Sequence, residues 1–387
     1  MLMGILRYAP KEDYMKFIIK FIIKDKVFLI ASIFAIISIF FVVPSVEYLS
    51  YINTKVLIIM FTLMLAVAGI YETHFFDYIA TKLIQHLKSI KWIGLVIIIV
   101  TFFLGMLLTN DAVLLTLVPF TIFITKHTKK EKYAVIIIIL QTIAANMGSA
   151  LTPMGDPQNI YLYAFYDIPF DAFLKTTSVI TITGFVLITS TALIKIPHEA
   201  CELNIVAPEI QWNKFFLYLL ILINALLNIL RIVSEGYTLG ITLILGLIYG
   251  RHLFKRVDYH LLLTFLAFFI FTGNIGQITV IKDTISQLLN SRVSVFFTAL
   301  TTSQFISNVP ASVLLSTFTK PIYWQPLLQG VNIGSMGTII GSLASLITFK
   351  YVIREYKGQV KTYLLTYTII SIIFILIIST ATLLLFT

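Results

Sequence analysis

The chain has 387 residues, 58% of them hydrophobic and only 12% charged, with a mean hydropathy of +0.95. A soluble protein cannot bury that much apolar surface, so the composition predicts a protein with several membrane spans. The formal net charge of +10 does not indicate a nucleic-acid partner, because most Lys and Arg lie in short connections between apolar runs, as in cytoplasmic loops. There is no Walker A sequence, so ATP is not expected as a partner. The single cysteine, Cys201, excludes an internal disulfide and a cysteine-based metal site.

Residues 1–26 are predicted to form an N-terminal amphipathic segment. Lys16, Lys20 and Lys24 recur every four residues, and apolar residues fill another face of the same helix. This pattern favours a helix that lies on the cytoplasmic surface of the membrane. The alternative is that the segment is only the start of the first span. No small-residue cleavage site follows the first apolar run, so we expect an uncleaved anchor.

Nine apolar stretches are candidate membrane spans. They are 27–43, 54–70, 133–166, 173–195, 213–231, 236–250, 259–276, 326–350 and 362–386.

Two further apolar segments, 92–125 and 292–319, each contain a polar tip. Each arm of the first has about 15 residues, or ~23 Å at the rise of an α-helix, which is short of a ~30 Å hydrocarbon core. Its tip is Thr109-Asn110-Asp111, and basic residues flank both of its ends. We therefore predict a re-entrant helical hairpin that enters and leaves on the cytoplasmic side. The second segment has its tip at residues 307–310 and is predicted to form a matching hairpin.

The candidate spans 133–166 and 326–350 are interrupted by related sequences. Residues 146–159 read NMGSALTPMGDPQN, and residues 332–341 read NIGSMGTIIG. Both fit N-x-G-S-x-x-T-x-x-G, with Asn146, Gly148, Ser149, Thr152 and Gly155 matching Asn332, Gly334, Ser335, Thr338 and Gly341. This spacing predicts an internal duplication with two broken helices. Broken backbone at membrane depth is tolerated where protein buries it or where it lines a cavity, and paired broken helices are typical of secondary transporters.

Charge places the connections relative to the membrane. With the N-terminus in the cytoplasm and the C-terminus outside, the basic segments 71–91, 126–132, 251–258 and 350–361 all fall inside, as the positive-inside rule requires. We therefore predict an all-α polytopic membrane protein with inverted repeats, about nine spans and two hairpins. Its predicted parts are a first repeat at 27–196 (hairpin 92–125, broken helix 133–166), a linker and extra span at 197–235, and a second, inverted repeat at 236–387 (hairpin 292–319, broken helix 326–350).

The two tips and the two breaks are predicted to meet at one site. Asn110 and Asn308 suit helix N-caps, each with an amide oxygen to offer a cation, while Asp156 and Ser342 could cap the helices after the breaks. Four helix N-termini would then point at one place, which favours binding of an anion. Backbone carbonyls and nearby Asn, Ser and Thr side chains supply oxygens suited to sodium.

Asp111 carries the strongest single indication of function. A carboxylate at membrane depth costs about 2.5–3.5 kcal/mol on insertion scales, so this side chain should bind a cation, carry a proton or face water. The neighbouring residues also have purely structural interpretations. Asn and Ser can form hydrogen bonds between helices, and Gly can permit close packing. Asp156 could equally be a cap without a direct role.

Three stretches, LLTNDAVLLTLVPF, NMGSALTPMGDPQN and SNVPASVLLS, resemble the ion transporter superfamily. That superfamily includes divalent anion–sodium symporters, citrate–metal transporters, arsenite permeases and some sodium/proton antiporters, and the chain looks most similar to bacterial anion-permease-like members. The resemblance implies a homodimer, an elevator mechanism and ion sites at the tips and breaks. The implied positions are Thr109, Asn110, Asp111, Gly148, Ser149, Thr152, Gly155, Ser307, Asn308, Ser335, Thr338 and Gly341. The repeat adds Asn146 and Asn332, and the predicted helix start after the first break adds Asp156. Sodium would bind at Asn110, Asp111 and Ser149.

Three departures from the family pattern qualify what the resemblance implies. Asp111 ends the first tip where a dicarboxylate symporter typically has Thr, which is nearer to the arsenite and antiporter branches. Val309 stands where a dicarboxylate symporter has a hydroxyl, which disfavours a second sodium site. Asp156 stands where Asn is expected, which disfavours a multiply charged anion unless Asp156 is protonated.

The main prediction is a secondary active transporter of a small anion, with a carboxylate as the first candidate, coupled to Na⁺ or H⁺ in the cell membrane and needing no cofactor. The alternatives are a Na⁺/H⁺ antiporter that uses Asp111 and an arsenite-type efflux permease. An intramembrane enzyme is disfavoured because Ser149 has no matching His or Lys partner.

Overall fold

A computed structural model describes residues 25–203 and 205–384. Within these ranges the protein forms eighteen α-helices, and its β-type pairing there is a bridge between Ser89 and Ala200. The predicted amphipathic segment at 1–26 lies outside the described residues except for its last two positions.

The helices follow the apolar runs of the sequence. They are α1 (Lys26–Ile39), α2 (Tyr48–Tyr51), α3 (Thr54–Glu72), α4 (Phe75–Ile84), α5 (Ile90–Leu107), α6 (Asn110–His127), α7 (Ala134–Ser149), α8 (Pro157–Phe165), α9 (Phe170–Lys195), α10 (Trp212–Ile229), α11 (Glu235–Tyr249), α12 (Tyr259–Gln277), α13 (Thr279–Leu288), α14 (Arg292–Ile306), α15 (Asn308–Ser316), α16 (Trp324–Gly334), α17 (Leu343–Glu355) and α18 (Val360–Leu383).

Seven helical segments of the described chain are long and apolar enough to cross a membrane. They are Thr54–Glu72, Ile90–Leu107, Glu131–Ser149, Phe170–Lys195, Trp212–Ile229, Tyr259–Gln277 and Lys357–Leu383. The helices α1 and α11 are apolar but shorter. The predicted class, an all-helical protein with several membrane spans, is therefore confirmed. The arms of the first hairpin differ from prediction, because α5 and α6 have 18 residues each instead of about 15, or ~27 Å of helix.

Three short helices were missed by the sequence analysis: α2, which has four residues and lies between the spans predicted at 27–43 and 54–70, and two longer ones. The helix α4 lies in the connection 71–91, and α13 lies between α12 and the second hairpin. Each has only 10 residues, and no residue of α13 is buried. A helix this short, with a polar face, does not produce a long apolar run in the sequence.

The two hairpins open toward opposite ends of α9. At the end of α9 marked by Glu199, the N–H of Ile90 donates to the Glu199 carbonyl (3.0 Å), and Lys130 Nζ pairs with the Glu199 carboxylate (2.8 Å). The start of α5 and the end of α6 therefore lie together there. At the other end, the hydroxyl of Tyr166, just before α9, donates to the carbonyl of Ser316 at the end of α15 (3.1 Å). Because α9 has 26 residues, or ~39 Å, the bases of the hairpins are well separated.

The two broken helices run in opposite directions between these ends. In the first, α7 starts beside Glu199, because Tyr133 contacts that carboxylate, and α8 ends beside Tyr166. In the second, α16 follows Tyr323, whose hydroxyl donates to Asn290 at the base of the second hairpin (3.1 Å). Its second half ends at Glu355, which pairs with Lys126 at the base of the first hairpin (2.8 Å).

The four basic connections also meet at one end, which we call the basic end. Glu355 and Lys126 join two of them. Glu72 and Arg256 join the other two through a 2.7 Å ion pair. Tyr71, Arg256 and Tyr351 line one cavity, which links the two pairs of connections to each other. This agrees with their predicted placement on a common side of the membrane.

Close packing of backbone brings the first break against the first hairpin. A Cβ added at Gly148 would lie 2.0 Å from the carbonyl oxygen of Phe102, a distance that no side chain tolerates. The glycine therefore permits α7 to contact α5 backbone to backbone. Gly148 thus has a packing role, and within the described residues no glycine has positive φ.

Candidate functional site

The hairpin tips place their asparagines one position later than predicted. The N-cap positions of α6 and α15 are Thr109 and Ser307, and Asn110 and Asn308 are the first helical residues. Each Asn nonetheless serves the helix start, because Asn110 Oδ1 accepts the N–H of Asp111 (2.8 Å) and Asn308 Oδ1 accepts that of Val309 (2.9 Å).

The second tip is strained and the first is not. Ser307 has φ 74° and ψ 154°, a combination that is largely confined to glycine. Thr109 has φ −68° and ψ 140°, which is ordinary extended backbone. Strain of this kind costs of order 1–3 kcal/mol and tends to occur at functional sites. The two tips therefore differ in backbone geometry as well as in the residue after Asn.

Asp156 lies between the two tips and accepts hydrogen bonds from both. Its Oδ2 atom is 2.7 Å from Asn110 Nδ2 and 3.5 Å from Asn308 Nδ2. Asn110 Nδ2 also donates to Asn146 Oδ1 (2.9 Å). All four side chains are buried, with at most 3% of their surface exposed.

The tip amide oxygens are turned toward their own helices, and the expectation that they bind a cation stays a prediction. A backbone N–H can only donate, so the bonds from Asp111 and Val309 fix the oxygens of Asn110 and Asn308 toward their own helices. The amide nitrogens therefore face the centre, and the group between them is a carboxylate.

The helices that follow the breaks begin as predicted. Asp156 and Pro157 are the N-cap and first residue of α8, although the Asp156 side chain makes no capping bond because it faces the tips. Ser342 caps α17 by accepting the N–H of Ser345 (3.1 Å). Asn146 Nδ2 donates to Ser342 Oγ (3.3 Å), which connects the two breaks.

The predicted meeting of four helix N-termini is thus present. Asp156 joins those of α6, α8 and α15. The N–H of Asn308 donates to the carbonyl of Gly341 (2.9 Å), one residue before the cap of α17. Asn332 lies nearby, with Nδ2 2.8 Å from Asn159 Oδ1, so Asn159 is part of the connection between the breaks.

The predicted threonines lie at the edge of this cluster. Thr152 donates to the carbonyl of Met106 on α5, and Thr338 donates to the carbonyl of Gln304 on α14 (2.9 Å). Each threonine therefore holds a break to the first arm of a hairpin. The serines bond within their own helices: Ser149 Oγ donates to Asn146 O (3.0 Å) and Ser335 Oγ to Asn332 O (2.7 Å). Gly155 lies in the turn between α7 and α8, where an added Cβ would be 2.3 Å from Ser149 O.

Asp111 lines two cavities. The first, of about 420 Å³, is lined by both tips and by four carboxylates, and no Lys or Arg is among the described residues that line it. The carboxylates are Asp25, Asp111, Asp156 and Asp258. The second cavity, of about 410 Å³, also contains Asp111 and reaches Arg256 at the basic end. Asp111 Oδ1 is buried and has no hydrogen-bond partner within the described residues.

Sequence reasoning missed Asp25 and Asp258. Both are N-caps, accepting the N–H of Phe28 (2.9 Å) and of Leu261 (3.0 Å) respectively. An Asp at the start of an apolar helix signals a cap, and nothing in the sequence shows that it also faces a cavity formed by distant hairpins.

The protein is all-helical with several spans, and its buried polar breaks face two hairpin tips. These features are typical of membrane transporters. The chain belongs to the citrate transporter family, whose sequence pattern it matches over residues 14–323. The suspected resemblance to the ion transporter superfamily is thereby confirmed, and the members of this family are transporters.

The curated relatives agree with the family. The chain is 34% identical over 311 residues to the uncharacterized transporter MJ0456 of Methanocaldococcus jannaschii, covering 80% of this chain and 84% of the relative. It is 27% identical to the inner membrane protein YbiR of Escherichia coli, covering 77% and 80%. A putative transporter arsB of Dictyostelium discoideum is 26% identical over 155 residues, covering 40% of this chain and 27% of the relative.

Proposed function

We propose that the protein is a secondary active transporter of a small anion, coupled to Na⁺ or H⁺ at the carboxylates of Asp111 and Asp156. The observation that carries the proposal is the position of Asp156, which lies between both hairpin tips where four helix N-termini meet. The helix N-termini favour an anion, and the two carboxylates favour a cation.

The charge of the first cavity sets the order of binding. Four carboxylates and no Lys or Arg line it within the described residues, so an anion entering it alone would be repelled. A cation bound at Asp111 or Asp156 neutralises part of that charge, and the helix N-termini can then attract the anion. Because coupling between two binding sites is reciprocal, the anion would strengthen cation binding by the same factor.

Alternating access is the mechanism that this architecture suggests. The hairpins open toward opposite ends of α9, and the broken helices run in opposite directions. This arrangement supports two inverted repeats, and the family resemblance supports an elevator movement in a homodimer. We place the basic end in the cytoplasm, as the positive-inside rule requires.

Transport measurements in proteoliposomes test the proposal. Uptake of each anion in a panel is driven by an inward Na⁺ gradient, by an inward proton gradient, or by neither. We expect one anion class to accumulate only with a cation gradient. If the anion equilibrates at the same rate with and without both gradients, coupling is absent and the proposal is wrong.

A second function, Na⁺/H⁺ antiport through Asp111, is favoured by the absence of Lys and Arg from the described lining of the first cavity. An antiporter moves cations without any anion substrate. Sodium efflux driven by an inward proton gradient, in chloride alone and unchanged by the anion panel, would support antiport over symport.

A further inference from the structure

We infer that Asp156 determines substrate specificity, because its carboxylate occupies the hydrogen-bond donors that a second carboxylate of a substrate would need. Asp156 thereby limits the cargo to a small solute with at most one negative charge. This inference rests on the proposed transport of a small anion and names the charge class of that anion.

The side-chain amides of the two tips donate hydrogen bonds to Asp156. Asn110 and Asn308 each have the amide oxygen turned toward the following backbone N–H group, so the amide nitrogen is the atom that each presents to Asp156. Both nitrogens face the same oxygen, Asp156 Oδ2, at 2.7 and 3.5 Å. Two converging N–H donors at helix N-termini are a typical site for a carboxylate, and here the protein supplies that carboxylate itself.

The surrounding carboxylates also disfavour binding of a substrate with two negative charges. Asp111, Asp25 and Asp258 line the same cavity, whereas no Lys or Arg does within the described residues. The groups that donate to Asp156 from the two tips are the uncharged amides of Asn110 and Asn308. A doubly charged anion would meet these carboxylates, would find both N–H groups of the Asn110 amide bonded to Asn146 and Asp156, and would compete with Asp156 for the Asn308 amide. A singly charged anion can be accommodated once the coupling cation is bound.

Replacing Asp156 by Asn tests the inference with two matched probes. Lactate and malate are both small 2-hydroxy acids, and malate carries one more carboxylate. In Asp156→Asn the competing carboxylate is gone, so malate should bind about tenfold tighter or more than it binds the wild type, the scale of one hydrogen bond to a charged group. Lactate affinity should change much less. Binding is measured by calorimetry on the purified full-length chain, with thermal unfolding to show that each variant is folded.

Asp111→Asn is the control for simple removal of charge. It takes one carboxylate from the same cavity, but no tip amide donates to Asp111 among the described residues. The gain for malate should therefore be smaller than in Asp156→Asn. The double variant Asn308→Ala, Asp156→Asn should lose much of the gain in malate affinity. It lacks the Asn308 amide, which Asp156→Asn alone would make available to malate.

Three results would overturn the inference: a folded Asp156→Asn protein with no gain for malate, an equal gain in Asp111→Asn, or a wild type that binds malate as tightly as lactate. If Asp156→Asn does not fold, the comparison of malate with lactate binding to the wild type tests the inference by itself. If wild type binds neither probe and Asp156→Asn binds malate, the occupied-donor inference is supported while the proposed anion transport is contradicted.

Discussion

Asn110 Nδ2 lies 2.7 Å from Asp156 Oδ2, although 46 residues separate the two in the chain. This bond joins the tip of the first hairpin to the helix that follows the first break. The corresponding bond from Asn308 is 3.5 Å long, at the limit of hydrogen-bond geometry. The two tips therefore offer the same side chain to Asp156, but the hydrogen bond from Asn110 is the stronger one.

That asymmetry predicts unequal effects of removing the two amides. Asn110→Ala should lower stability by about 1–3 kcal/mol, because it leaves a buried carboxylate without its best donor, and Asn308→Ala should lower it by less. Both should also weaken anion binding, not because the amides contact the anion but because Asp156 without that donor repels the anion more strongly. Chemical unfolding and calorimetry measure the two effects. Asn224→Ala is the matched control, since Asn224 is a buried amide that donates to the carbonyl of Thr238 (2.9 Å), away from the tips, and it should lower stability alone. A larger loss for Asn308→Ala than for Asn110→Ala would contradict this reading of the distances.

Asp111→Asn should abolish coupling while the protein stays folded. Asp111 Oδ1 has no hydrogen-bond partner within the described residues, so neutralising the side chain costs little in packing or hydrogen bonds. Gradient-driven accumulation should be lost, and the midpoint of thermal unfolding should change little. Asp171→Asn, at a side chain that is 72% exposed, is the control and should accumulate the anion as wild type does. Full accumulation by Asp111→Asn would remove Asp111 from the mechanism.

The first hairpin should be accessible from one side of the membrane only. In a Cys201→Ser background, cysteines at Lys91 and Lys129 should both react with a membrane-impermeant reagent from the cytoplasm, because both flank the Glu199 end of α9. A cysteine at Asp171, at the other end of α9, should react from outside. Labelling of the Lys91 and Lys129 positions from opposite sides would show that residues 92–125 cross the membrane once.

Glu199 should stabilise the base of this hairpin in a pH-dependent way. Hydrogen bonds from Lys130, Tyr133 and Lys132 lower the pKa of its carboxyl to about 2 from an ordinary value of 4.5. Since the folded-state pKa is lowered, the stabilisation is complete above about pH 5 and is lost as the pH falls from 4.5 toward 2. Glu199→Gln should therefore unfold at a lower temperature than wild type at pH 7, with the difference shrinking at pH 4. Glu202→Gln, in the same exposed connection, should show no such difference. A gap for Glu199→Gln that widens on acidification would contradict this assignment.

Much of the fold follows directly from the sequence. The helix predicted at 54–70 is observed at Thr54–Glu72, and that at 259–276 at Tyr259–Gln277, because a long apolar run bounded by polar residues determines both length and position. The first break could be predicted for a similar reason. Gly155, Asp156 and Pro157 interrupt a long apolar run, and α8 begins at Pro157.

The direction of side chains at the site could not be predicted. The orientation of Asn110 depends on a backbone N–H one residue away and on Asp156, which is distant in sequence. Thr152 and Thr338 share the repeated motif with the breaks, yet they bond to hairpin arms. Asp258 reaches the cavity because α12 packs against α15 of the second hairpin. Each of these contacts depends on tertiary packing, which leaves no local periodicity in the sequence.

The most direct test of cation-dependent anion binding is reciprocal calorimetry on the purified wild-type chain. The dissociation constant of the transported anion is measured against Na⁺ concentration and against pH, and that of the effective cation against anion concentration. The account predicts that the anion binds more tightly as one cation, Na⁺ or H⁺, becomes more abundant, and that saturating anion tightens binding of that cation by the same factor. An anion dissociation constant that is unchanged by both Na⁺ and pH would contradict it.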